Sequence, residues 1–364
     1  MISNPQRTIR IVQPGPMTLV QDRGRFGFQK LGVSASGAVD IDALDTGNLL
    51  VGNNPSAACL EVLRGGLELE FSGASVIAVT GTESDVTIDG VPISLGVSYF
   101  VHSDARIKLG IATDGLRTYI AVAGGIDIPQ MLGSRSTHIG SKIGGVDGRS
   151  LAAGDVLNLG EPTDLAESGL LLECETMSCP TGEISVRIMM GPQDDEFSDA
   201  GIESFLNSSY VVSDQSNRQG LRLEGPVIES KSGRYDIVSD AVVNGSIQVP
   251  GDGKPIILLA DRQTTGGYAK IATIATVDLP RLGQATPGTN ITFTAITVEE
   301  SQELLAARSE RFKSDNLAVI VEEVSLKVDG DDIAVGVAEN GESTLAAVDG
   351  KTYPITVDEY TPAE

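Results

Sequence analysis

The chain has 364 residues, more than one ordinary core holds, so two domains are the first expectation. Hydrophobic residues make up 41%, glycine is abundant at 42 residues and tryptophan is absent, which excludes a disordered chain and points to short strands and tight turns. A formal net charge of −24 argues against a phosphate backbone or an anionic membrane as partner and favours solubility.

The N-terminal stretch MISNPQRTIRIVQPGPMTLV has no continuous apolar segment and no small-residue cleavage site, and no spanning-length apolar run follows it. The cysteines, Cys59, Cys174 and Cys179, are an odd and sparse set that suits a reducing compartment. A soluble cytoplasmic protein is expected.

Asp40–Val51 (DIDALDTGNLLV) predicts a helix, with a capping aspartate before it and Gly52 after it. Val86–Ile93 (VTIDGVPI) predicts a hairpin turning at Asp89-Gly90. The apolar runs Arg117–Val122 (RTYIAV) and Pro255–Ala260 (PIILLA) predict buried strands. Glu161–Thr181 is polar and aperiodic, the expected junction between domains. Glu299–Arg311 predicts a helix, with acids in its first turn and bases near its end. Beyond it, Val324–Val337 and Thr344–Val357 each hold an Asp-Gly turn and predict two small hairpins.

The halves echo each other. Asp114-Gly115 and Asp252-Gly253 precede the two buried strands, and Gly154 and Gly288 open GDVLNL and GTNITF at nearly the same shift. A duplicated β-barrel follows, with the first copy carrying an extra helix. The expected division is 1–165 for the first barrel, 182–298 for the second and 299–364 for a helix plus β-hairpin extension.

Several chemistries are missing. There is no G-x-x-x-x-G-K-[ST] loop, and Gly32–Ser36 reads GVSAS rather than G-x-S-x-G. The only histidines, His102 and His138, do not suggest a triad, and Cys174 and Cys179 lack the further ligands that a zinc site needs.

Four polar, glycine-bearing stretches remain. Gln21–Asp40 (QDRGRFGFQKLGVSASGAVD) could bring backbone N–H groups to an anion or an amide, or could be an ordered turn with internal Arg–Asp pairing. Ala123–Gly148 holds Arg135, which could grip a carboxylate or join a surface ion pair. GPQDDEF with SDQSNRQGLRLEG holds Asp194, Asp195 and Glu196, a candidate acid/base group or the first turn of a helix, and Arg218, which could orient a ligand or bind those acids. In Gly245–Lys270 a buried strand runs out into Asp261-Arg262-Gln263-Thr264-Thr265-Gly266-Gly267-Tyr268. Gln263 offers a donor and an acceptor to an amide, unless the turn only satisfies its own backbone.

These same blocks, in this order, resemble the family of the C-type subunit of 5-oxoprolinase, also described as urea amidolyase-related or biotin-dependent carboxyltransferase-like, from about Pro14 to Phe293. The resemblance implies a mainly β protein of two cyclophilin-like β-barrel domains with short helices. It also implies ATP-dependent opening of 5-oxo-L-proline to L-glutamate by a complex with a KipI-like subunit and a LamB/YcsF-like subunit. The ATP is used by the complex, since this chain has no ATP motif; no metal and no covalent biotin are expected, and the tail lacks a Met-Lys-Met biotinylation signature. Substrate contacts are expected at Gln21, Asp22, Arg25 and Arg135 in the first half. In the second half they are expected at Gln215, Arg218, Gln248, Arg262, Gln263, Thr264, Thr265, Gly266 and Gly267. The catalytic residues are not identified. His138 stands where an aromatic residue is expected, and the tail after about Lys313 exceeds the family length. Two other functions share the fold: a KipA-like regulator that binds a KipI-like kinase inhibitor, and the carboxyltransferase half of a biotin-dependent urea or amide carboxylase.

Overall fold

The computed structural model describes residues 7–163, 168–172, 182–313, 316–319, 322–328, 331–340, 343–348 and 351–355. Cys174 and Cys179 lie outside them. The chain is mainly β.

The first half comprises β1 (Thr8–Pro14), β2 (Met17–Gln21), α1 (Ile41–Leu50), β3 (Cys59–Leu63), β4 (Leu67–Ser72), β5 (Ser75–Gly81), β6 (Val86–Ile88), β7 (Val91–Ile93), β8 (Ser98–Val101), β9 (Arg106–Leu109), β10 (Arg117–Val122) and β11 (Val156–Asn158). Hydrogen bonding divides its strands into two sheets, β11-β1-β4-β9-β6-β7 and β2-β3-β10-β5-β8. Side chains from both sheets, among them Ile9, Leu69, Ile77 and Ile120, meet in one core. The continuous apolar run RTYIAV is buried at every position because β10 lies between β3 and β5. The predicted hairpin is present: Ile88 pairs with Val91, and Asp89 and Gly90 adopt φ of 52° and 86°, the left-handed pair that a two-residue turn with matching twist requires. The predicted first helix is α1. Asp40 caps it by accepting from Ala43 N at 2.9 Å, and its apolar face covers β5 and β10.

The chain continues through β12 (Leu170–Leu172) into the second half: β13 (Glu183–Met190), α2 (Asp199–Asn207), β14 (Tyr210–Val212), β15 (Gly220–Glu224), β16 (Asp236–Ala241), β17 (Ser246–Gln248), β18 (Ile256–Leu258), β19 (Thr265–Tyr268), β20 (Lys270–Ile274), α3 (Leu279–Gly283) and β21 (Asn290–Ala295). Seven strands close a barrel in the order β13-β20-β17-β18-β15-β14-β21, while β16 and β19 pair as an outlying ribbon. The barrel is filled by its own residues, including Ile188, Leu223, Ile257 and Phe293. The echo between the halves has a structural counterpart: β10 sits between β3 and β5 as β18 sits between β15 and β17. Asp194–Glu196 form one 3-10 turn, and the helix starts only after it, where Ser198 accepts from Gly201 N at 3.0 Å.

The predicted C-terminal helix is α4 (Val298–Arg311), closed at its start by a reciprocal Thr297–Glu300 capping box. After it, β22 (Leu317–Val319) pairs with β12. The last strands, β23 (Glu322–Val328), β24 (Asp331–Asn340), β25 (Ser343–Val348) and β26 (Lys351–Ile355), form one four-stranded meander rather than two separate hairpins, since β24 and β25 also pair.

Candidate functional site

Two places gather the polar residues singled out in the sequence. The first is a pocket of about 150 Å³ on the outside of the second barrel. Along β15 and β18 the two-residue strand period turns Leu221, Leu223 and Ile257 inward, so Gly220, Arg222, Ile256 and Leu258 face out and form its floor. Gln248, Gln263, Asn217, Gln219 and Tyr268 complete the wall. Gln263 Nε2 donates to Gln248 Oε1 at 3.3 Å, and Gln248 Nε2 donates to Tyr268 O at 3.5 Å. Gly266 lies beneath the Gln248 amide, where a Cβ would collide with it. The pocket offers amide donors and acceptors and the Arg222 cation, but no carboxylate, histidine or thiol. Such a lining can hydrogen-bond a polar group.

The second place is the junction between the halves. Arg218 leaves the β14–β15 turn on the side away from the pocket and is buried at 6% exposure. It donates from Nε and Nη2 to Asp261 at 2.8 and 3.0 Å, from Nη1 to Glu61, and from Nη2 to Gly37 O at 2.7 Å. Burial alone would lower its pKa, but the charges of Glu61 and Asp261 outweigh that and hold it above its ordinary value. Glu61 also accepts from Tyr119 Oη at 2.6 Å and Val39 N at 3.1 Å. Asp261 accepts from Ser36 Oγ at 2.7 Å. Gln284, at the end of α3, donates to Asp40 Oδ2 at 2.6 Å and accepts from Arg117 N at 2.8 Å. Desolvation raises the Asp40 pKa to about 7, against the lowering effect of the Ala43 and Gln284 hydrogen bonds.

The expected residues are therefore divided between the two places. Gln248 and Gln263 line the pocket. Thr265 to Gly267 run in the β16–β19 ribbon, and Thr264 O accepts from Val242 N at 3.2 Å. Gln215 is exposed on the turn before Arg218 and is not among the pocket residues. Arg262 is buried beside Asp261, with Nη1 3.5 Å from Leu259 O. In the first half Asp22 is wholly engaged. Its Oδ1 accepts from Gly24 N, Ser134 Oγ and Ser136 Oγ, and its Oδ2 from Arg135 N, which clamps the 134–136 loop. Arg135 itself spans Ile128 O and Asp127, the ion-pair alternative. Gln21 donates to Thr137 O at 3.0 Å, and Arg25 donates to Ser136 O.

The sequence reading did not single out Glu61, Ser36, Gln284 or Tyr119. Glu61 lies in an apolar strand, CLEVL, where only its charge marks it. Ser36 has a φ of 54°, strained for a residue other than glycine, and that is visible only in the folded backbone. Among the described residues no group of three or more His, Cys, Asp or Glu side chains is arranged to hold a metal, and no helix is long and apolar enough to cross a membrane.

The model for the carboxyltransferase domain, subdomain A and B, matches residues 31–295. The chain is 37% identical over 293 residues to the C-type subunit of 5-oxoprolinase from Escherichia coli, covering 80% of this chain and 93% of that one. It is 33% identical over 326 residues to urea amidolyase of Saccharomyces cerevisiae, of which it spans 18%. Among solved structures, the urea carboxylase of Kluyveromyces lactis matches with a TM-score of 0.77 and 28% identity, over 95% of this chain and 34% of that one. With most of its length matched by the family model and nearly the whole of the Escherichia coli protein matched at this identity, the chain belongs to the carboxyltransferase subdomain A and B family, together with the C-type subunits of bacterial 5-oxoprolinase.

Proposed function

We propose that this chain is the C-type subunit of an ATP-dependent, cytoplasmic 5-oxoprolinase that opens 5-oxo-L-proline to L-glutamate with a KipI-like subunit and a LamB/YcsF-like subunit. The observation that carries this reading is the match to the corresponding 5-oxoprolinase subunit of Escherichia coli along 93% of its length. The site chemistry agrees with a contributing subunit. The pocket lining has no carboxylate, histidine or thiol, and the sequence has no phosphate loop, so partners would supply the nucleotide chemistry. Mixing the purified chain with both partners should produce 5-oxoproline-dependent ATP hydrolysis that the chain alone lacks. Turnover by the single chain would refute this division of labour.

The structural match to a urea carboxylase favours a second reading, a carboxyltransferase acting on urea or an amide. Urea-dependent loss of the carboxyl group from carboxybiotin, in the absence of 5-oxoproline chemistry, would select it.

A further inference from the structure

Large apolar side chains stand in solvent on three neighbouring segments. Phe26 and Leu31, on the loop from Gly24 to Gly32, are 70% and 69% exposed. Val243, just beyond β16, is 52% exposed, and Ile139, in the long loop after β10, is 40% exposed. The 24–32 loop touches both of the other segments. Gln29 Nε2 donates to Val242 O at 3.3 Å, and Arg25 donates to Ser136 O. A Cβ on Gly144 would lie 2.6 Å from Arg25 Nη2, so the 136–144 loop is packed directly against the segment that carries Arg25. The four side chains therefore crowd one seam, three of them from the first half and one from the second. A lone exposed valine or leucine is ordinary, but a cluster of them where two units meet marks a surface that another molecule covers.

The charge around this seam runs against that of the whole molecule. The chain has 50 acids against 26 lysines and arginines, yet residues 23–33 and 128–146 hold no acid at all and carry Lys30 and Lys142, both exposed. Among the described residues neither lysine is in an ion pair. The acid nearest to Val243 in the chain, Asp240, is already taken by Lys270 at 2.9 Å. Apolar groups edged by unpaired cations favour a complementary surface, apolar at its centre and acidic at its rim.

We propose that this seam is the docking surface for a partner protein that presents apolar side chains bordered by carboxylates, and that this partner is the KipI-like subunit. The identity of the partner rests on the proposed function: the KipI-like subunit is the one that the oxoprolinase reading and the KipA-like alternative have in common. The net charge of −24 opposes a lipid surface in its place. In the urea carboxylase of Kluyveromyces lactis the matching fold is 34% of a longer chain, so there it is continuous with further protein, which a separate subunit has to meet by docking.

Calorimetric titration of the full-length chain with the purified KipI-like subunit tests this. Phe26→Asp and Leu31→Asp should each weaken binding by about 10- to 30-fold, the loss expected of an apolar anchor. Both side chains are exposed, so the melting temperature should not change. Lys30→Glu combined with Lys142→Glu should slow association and flatten its dependence on salt. Val156→Asp, 56% exposed but on β11, should bind as wild type does. Wild-type affinity in both apolar variants overturns the proposal, as does a wild-type chain that does not bind the KipI-like subunit. Self-association, or binding of the LamB/YcsF-like subunit, that Leu31→Asp abolishes gives the surface to another occupant and also overturns it. Undiminished complex formation and 5-oxoproline turnover with Leu31→Asp removes the surface and leaves the oxoprolinase reading standing. Binding of the KipI-like subunit that depends on Phe26 and Leu31, in a complex that does not turn over 5-oxoproline, keeps the surface and removes that reading.

Discussion

At the residue scale, Arg218 is a charge that binds the two halves together, since Glu61 comes from the first and Asp261 from the second. Replacing it by methionine removes the cation from Asp261 and leaves Glu61 with Arg117 at 3.7 Å. Losing one partner of a buried ion pair costs about 3–5 kcal/mol. The urea midpoint of Arg218→Met should fall accordingly, and an unchanged midpoint would contradict the assignment. Asp40 gives a pH dependence of definite sign. Its folded pKa of about 7 lies above the ordinary carboxylate value. Between those values the folded chain keeps a proton that the unfolded chain has released, so this contribution is fully present in acid and is lost as pH rises to about 7. The slope is at most about 1.4 kcal/mol per pH unit. Denaturant midpoints between pH 5 and 8 should therefore fall less steeply with pH in Asp40→Asn than in wild type. Gln263 is exposed and bonds only to Gln248 among the pocket residues, so Gln263→Ala should leave the melting temperature nearly unchanged. Loss of a polar partner there should cost about 1–3 kcal/mol, or about 5- to 150-fold in activity of the complex. A destabilised variant with full specific activity would make the turn structural. Gln248 and Gln263 were legible as one cluster because β17, which carries the first, pairs with β18, which runs out to the second. The direction of Arg218 was not, because whether a turn residue faces the pocket or the junction is decided here by Glu61 of the other half together with Asp261.

At the element scale, strands and caps were readable wherever one local cause sufficed. RTYIAV, apolar from Tyr119 onward, becomes a central strand; Asp-Gly at φ values above zero makes a hairpin; acids in the first turn and bases in the last mark α4. The pairing of β24 with β25 was not readable, because joining two hairpins depends on register between them rather than on either turn. Helix α4 is held by Arg308, which reaches Asp42 at 2.5 Å and Asp45 at 2.9 Å, while Arg311 also reaches Asp42. The strap from the second half to α1 is therefore ionic. Both main cores use residues before Val298, so removing residues 315–364 should leave a cooperatively folding chain. It also takes β22 away from Leu170 and Leu172, which are buried at 7% and 6% exposure. The truncated chain should melt a few degrees lower, at about 2–4 °C per kcal/mol lost. Aggregation in place of a cooperative melt would show that the tail covers an edge the cores cannot leave open.

At the scale of the whole molecule, two β units are locked through a buried polar junction, with a pocket rich in amide groups on the second unit. The proposed function makes such a chain a binding and positioning subunit whose chemistry is completed by others. That is the central claim, and one assay tests it directly: ADP and L-glutamate measured together while the three purified proteins act on 5-oxo-L-proline. The account predicts that both products appear in step, that neither appears when this chain is omitted, and that this chain alone forms neither. Undiminished product formation by the other two proteins without it would contradict the account.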